Sequence, residues 1–88
     1  LALKLIGAQD DATDRLRVAI GAVLPEAVVE VSSRGAGHFE LRVVAEAFRG
    51  RSRLQQHQLV YGAIASLMAG DAPAVHAIDR LVTEVPTT

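Results

Sequence analysis

Cysteine and tryptophan are both absent from the 88 residues. Without a thiol, the chain has no disulfide, no cysteine-based zinc site and no thiol nucleophile of its own. Aromatic residues are nearly as scarce, with two Phe and one Tyr. The core therefore has to be aliphatic, and single-stranded nucleic acid finds few rings on which to stack its bases. An excess of one charge is missing too. Nine Lys and Arg stand against ten Asp and Glu, for a net charge of −1. No global field draws such a chain to nucleic acid or to an anionic membrane. No apolar run approaches the roughly 18 residues of a membrane span. The opening LALKLIGAQDD lacks a signal-peptide core and cleavage pattern. The expectation is a soluble cytoplasmic protein with no membrane partner.

Catalytic signatures are also missing. Ser32, Ser33, Ser52 and Ser66 lack a G-x-S-x-G context. The acidic residues are spread without a marked pair. The RGAG segment at 34–37 is not followed by Lys-Ser or Lys-Thr, so it is no phosphate loop, and no HExxH occurs. The expectation is a protein that is not an enzyme.

Half of the residues are apolar and 22% are charged, which is the composition of a globular domain. The length suits a single domain over 1–88, with residues 1–9 as a loosely ordered leading segment. The first helix is expected from Asp10 or Asp11, where either carboxylate caps free backbone N–H groups. Leu16, Ala19, Ile20, Val23 and Leu24 follow the i, i+3, i+4, i+7, i+8 spacing of a buried face. Pro25 ends it. Residues 27–33, AVVEVSS, read as a strand rich in β-branched Val. Residues 38–44, HFELRVV, alternate cleanly, with Phe39, Leu41 and Val43 on one side and His38, Glu40 and Arg42 on the other. The two strands with RGAG between them form a hairpin. A connector at 47–53 leads to a second helix capped by Ser52, with an apolar stripe of Leu54, His57, Val60, Tyr61, Ile64, Leu67 and Met68. Gly70, Asp71 and Pro73 stop it. Residues 75–85 form the last strand, which follows a crossover helix and so suits parallel pairing. This order places helices on one face of a small antiparallel or mixed sheet, an α+β fold.

Three histidines carry what chemistry there is. His57 lies within the helical apolar stripe. Its plain reading is a partly buried ring bound to a nearby acceptor; its functional reading is a ligand. His76 stands beside a loop at the start of the last strand, a good place to present a ligand. His38 begins the second strand on its polar side. A neutral imidazole binds transition metals through one ring nitrogen, but three scattered histidines make no motif. Arg49, Arg51 and Arg53 cluster around Gly50, a pattern that contacts phosphates or simply faces water.

Four short motifs occur in order over residues 16–81: HFELRVV, F-R-G at 48–50, SRLQQHQLVYGAI, and VHAI at 75–78. Together they resemble the BolA family. The resemblance implies an α-β-β-α-β core of class II KH-like topology, with a three-stranded sheet covered by helices on one face. It implies pairing with a monothiol glutaredoxin and a shared 2Fe-2S cluster, in iron–sulfur trafficking or iron regulation. The alternative it implies is a DNA-binding transcriptional regulator. His76 matches the family's C-terminal histidine and is implied as a cluster ligand. The SSRGAG loop offers neither Cys nor His, so His38 at its far edge is the second candidate ligand. His57 matches the family's helix histidine and is placed, with Tyr61, on the partner surface. The DNA alternative rests on Arg49, Arg51 and Arg53, in a chain without the Gly-x-x-Gly loop by which KH domains clamp backbone. The tail TEVPTT lacks the family's usual Glu-Trp segment. A chain without cysteine can still donate imidazole to a cluster whose thiolates come from elsewhere. Alone, it is expected to hold no cofactor and to be a monomer or weak homodimer.

Overall fold

The computed structural model describes residues 11–87. The leading segment 1–9 and the cap at Asp10 lie outside the described residues. Helix α1 spans Asp11–Val23. Leu16, Ile20 and Leu24 recur every four residues and are buried. Val23, expected on the same face, is exposed. The buried row follows i, i+4, i+8, which turns Val23 off the contact line. The helix stops two residues before Pro25, whose ring disfavours helical backbone at the residue preceding it.

Strands β1 (Val28–Ser33) and β2 (His38–Val44) form the expected antiparallel hairpin, in a register from Val28 opposite Val44 to Ser33 opposite Phe39. Strand β3 (Ala77–Glu84) runs parallel to β2, giving the order β1-β2-β3. Central β2 alternates as read, with Phe39, Leu41 and Val43 buried. The last strand is shorter than 75–85 at both ends. Val75 is instead a fully buried plug, and its N–H donates to the Leu67 carbonyl at 3.1 Å. Val85 packs against the core just beyond β3. One irregularity marks β3. Phe39 pairs with Ile78 and Glu40 with Arg80, so Asp79 is an extra residue in the ladder, a bulge.

Helix α2 spans Arg53–Ile64 and tightens into a 3-10 turn over Ala65–Met68. Ser52 caps it as expected. Its hydroxyl accepts from the Gln55 N–H at 3.1 Å, and the Gln55 side chain accepts from the Ser52 N–H at 3.0 Å, a reciprocal box that satisfies two otherwise free donors. The expected stripe needs correction at its start. Val60, Ile64 and Leu67 are buried, but Leu54 is 67% and Tyr61 39% exposed. The inner face starts at Gln56, one residue before His57. The Gln56 amide donates to the Phe48 and Arg51 carbonyls at 3.3 and 3.1 Å, and its oxygen accepts from the Thr83 hydroxyl at 2.6 Å. The polar group beneath this helix is thus an amide with three partners. His57 sits at the rim, next to an outward-facing Leu54 and Tyr61.

The connector 47–53 holds an unexpected element. A 3-10 turn over Glu46–Phe48 drops the Phe48 ring wholly into the core. Burying such a ring contributes about 1.5–3 kcal/mol. With Phe39 also buried, Tyr61 is the only aromatic ring among the described residues that reaches solvent to a substantial degree. Both helices cover one face of the sheet, and the class is α+β as expected. Among the described residues no helix is long and apolar enough to cross a membrane.

Candidate functional site at the histidine end of the sheet

His38 and Ala77 open β2 and β3 as register partners, and His76 precedes Ala77. The parallel pairing therefore brings two of the three histidines to one end of the sheet. The hairpin loop fixes their surroundings. The Gly37 carbonyl accepts from the His76 N–H at 2.8 Å and from the Ala77 N–H at 3.1 Å. Gly37 itself has φ +75, a conformation L side chains rarely adopt. Its missing side chain matters a second time, because a Cβ there would overlap the His76 ring. The imidazole of His76 thus lies on bare backbone, and the residue is exposed.

His38 has a carboxylate partner. Its Nδ1 lies 3.1 Å from Asp79 Oδ1, with both side chains close to half exposed. An ionised carboxylate only accepts, so in the neutral ring this contact places the proton on Nδ1 and leaves the lone pair on Nε2. This arrangement orients metal-binding histidines in general. Asp79 escaped the sequence reading because its position depends on the bulge, which periodicity does not announce.

The other singled-out residues lie away from this end. Arg53, His57 and Tyr61 are spaced by four along α2 and share one side of it. His57 is half-buried and has no hydrogen-bond partner among the described residues. With Arg53 it borders a depression of about 320 Å3 against β3, lined also by Arg80 and Thr83. Arg49 and Arg51 sit in the connector. The Glu46 carboxylate accepts from the Arg49 guanidinium through both oxygens, and the Pro86 carbonyl accepts from it at 3.3 Å. The Glu46–Arg49 hydrogen bond and the attraction of the two charges hold the Glu46 carboxyl below its ordinary value and raise Arg49. Arg51 donates to the Ala47 carbonyl at 2.9 Å. On the uncovered sheet face, Arg42 bridges Glu84 at 2.7 Å and Glu30 at 3.1 Å. The hydrogen bond that Arg42 donates to Glu84 is the main cause of the raised Arg42 pKa.

Among the described residues, no group of three or more His, Cys, Asp or Glu side chains is arranged to hold a metal ion. The parallel register brings His38 and His76 to one end of the sheet, and each imidazole can offer a single nitrogen to a metal whose other ligands come from elsewhere.

The architecture defines the class first, a small α+β domain with two helices on one face of a mixed three-stranded sheet. Comparison then gives the family. A family model described as BolA-like protein matches residues 22–85. A BolA protein homologue from Coxiella burnetii is 33% identical, with a TM-score of 0.68 over 84% of this chain and 90% of that one. The BolA domain of SufE1 from Arabidopsis thaliana is 30% identical, with a TM-score of 0.65 over 82% and 88%. BolA1 from Arabidopsis thaliana shares the fold at 23% identity, with a TM-score of 0.67 over 86% and 93%. No curated protein sequence matches. The chain belongs to the BolA-like family.

Proposed function

We propose that this chain is a non-enzymatic cytoplasmic adaptor that pairs with a monothiol glutaredoxin and shares a 2Fe-2S cluster with it. The observation that supports this is the His76 imidazole, held exposed on Gly37 at the same end of the sheet as His38, in a cysteine-free member of the BolA-like family. His76 is the first ligand and His38 the second. A bound cluster would supply one-electron chemistry and a transferable iron–sulfur unit, for trafficking or iron regulation. The chain's own contribution is to present imidazole nitrogens in place of thiolates, which tends to raise a cluster's potential. His57 and Tyr61 border the partner surface.

The test is anaerobic reconstitution of the chain with a monothiol glutaredoxin, iron and sulfide, followed by absorption and circular dichroism. The expected spectrum differs from that of the glutaredoxin alone and reverts toward it in His76→Ala. A spectrum identical to the glutaredoxin's and indifferent to His76→Ala would falsify the ligand assignment. A complex without a cluster would leave the adaptor reading alone standing.

The second reading, a DNA-binding regulator, draws on Arg49, Arg51 and Arg53. Of these, Arg53 is the one whose guanidinium has no acceptor among the described residues. Binding to duplex DNA across a salt series tests it, and absence of binding at low salt ends it.

A further inference from the structure

The net charge is near zero, but the charges are not evenly satisfied. Among the described residues, Arg17 pairs with Asp14, Arg34 with Glu40, Arg42 with Glu30 and Glu84, and Arg49 with Glu46. Arg51 donates to a backbone carbonyl. The guanidiniums of Arg53 and Arg80 have no acceptor among the described residues. They come from different elements, the first residue of α2 and the middle of β3. Even so, both line the depression bordered by His57, and no carboxylate lines it. The β3 residues in its wall are Leu81, Val82 and Thr83.

Among the described residues, this strand lies at one side of the sheet with β2 as its only neighbour. Its far edge therefore carries main-chain donors and acceptors with no strand partner. The bulge at Asp79 interrupts the ladder, which leaves the stretch from Arg80 to Glu84 as the regular part. Thr83 is held from behind by Gln56 at 2.6 Å, so this wall is rigid.

We propose that the free edge of β3 receives an extended acidic peptide segment of a protein partner as a fourth strand, with its carboxylates reaching Arg53 and Arg80. A peptide backbone offers both N–H and C=O groups at strand spacing and can complete the ladder. A nucleic-acid backbone offers acceptors but no N–H, so it leaves the strand carbonyls unmet, and no aromatic ring lines the depression for a base to stack on. A second copy of the same edge, paired antiparallel about Val82, would set Arg80 opposite the other copy's Glu84, so self-pairing competes with a peptide for this edge. Two guanidiniums and no carboxylate in the depression favour an anionic strand there. The inference rests on the adaptor reading only in taking the partner to be a protein, and it requires neither histidine ligand.

The experiment uses the whole chain and a fluorescein-labelled peptide alternating Glu with Val, followed by fluorescence anisotropy and amide chemical-shift mapping. Binding is expected to weaken with salt and to shift amides at 53–57 and 80–84. Arg53→Gln or Arg80→Gln should each weaken it about two- to five-fold, as an exposed charge pair allows. A peptide with Pro at alternate positions, which lacks the donors, should not bind. His76→Ala should bind like the wild type, which separates this proposal from the cluster reading. Equal binding of the Pro peptide, or of the Arg53→Gln/Arg80→Gln double variant, overturns it. So does an oligonucleotide of equal charge that binds more tightly and displaces the peptide. Self-association of the wild type through residues 80–84, with no peptide bound, also overturns it.

Discussion

The two ends of the sheet use the same pairing of acid and base to opposite effect. At the end where β2 and β3 begin, Asp79 engages one nitrogen of His38 and leaves the other free. At the end where they finish, Glu46 engages the Arg49 guanidinium with both oxygens, and Pro86 takes a further donor. The first carboxylate presents a reactive atom; the second occupies one. What lies beneath differs as well. The arginine end is nailed down by Phe48, which is 0% exposed, whereas the histidine end rests on a glycine backbone. An ion pair on a surface therefore says little about function by itself. What matters is which atom it leaves over.

The largest effect should separate structure from chemistry. Phe48→Ala removes a fully buried ring and should cost about 3–5 kcal/mol in urea unfolding. His76→Ala and His38→Ala alter exposed side chains and should stay within about 0.5 kcal/mol, while changing the spectrum of a reconstituted glutaredoxin complex. If His76→Ala destabilised the fold as much as Phe48→Ala, the histidine end would be a structural feature like its opposite.

A glycine pair sharpens the contrast. Gly37 and Gly50 have nearly the same φ, +75 and +81. At Gly50 a Cβ meets nothing within 4 Å, whereas at Gly37 it meets the His76 ring. Gly50→Ala should cost about 1–2 kcal/mol, the price of left-handed backbone alone. Gly37→Ala should cost more and should also move the His76 ring resonances. Equal costs with unmoved resonances would mean that the ring is not seated on Gly37.

Much of this arrangement was legible in the sequence. The alternation of Phe39, Leu41 and Val43 identified the central strand, and Ser52 announced the cap of α2, because period and capping are local properties. The face of α2 was misread by one residue. Leu54 and Tyr61 looked like core beside His57, yet Gln56 turns inward because three polar partners wait for it in the connector and on β3. Those partners are remote in sequence, so no local pattern reports them. The same holds for the site. His38 and His76 could be singled out as residue types, but their shared end depends on the parallel register. Asp79 depends on a bulge, and the convergence of Arg53 with Arg80 depends on how α2 lies against β3. Chain-local signals specify elements; long-range pairing selects which side chains meet.

Asp79→Ala tests the orienting role of the bulge. The change should leave stability within about 1 kcal/mol, as for other exposed pairs. It should redistribute the neutral His38 ring between its two tautomers, visible in the imidazole nitrogen shifts. In the wild type, the form with the proton on Nδ1 should dominate. An unchanged tautomer ratio would remove Asp79 from the site and leave His38 unoriented.

The smallest effect belongs to the other carboxylate. Glu46 is held below its ordinary value of 4.5, chiefly by its hydrogen bond to Arg49. A depressed carboxyl pKa stabilises the fold above the unfolded-state value and loses that contribution as pH falls through the folded-state value. Glu46→Gln should therefore lower the melting temperature slightly at neutral pH, with the difference from wild type fading as pH falls below 4.5 and Glu46 itself becomes protonated. The pair lies at the surface with both side chains about half exposed, so the shift is small, and salt should shrink it further. The same substitution releases Arg49. If that guanidinium then reaches phosphate, the slope of DNA affinity against salt should steepen by about one unit relative to wild type. An unchanged slope would mean that Glu46 was not what kept Arg49 from phosphate, and the contrast between the two carboxylates would then rest on Asp79 alone.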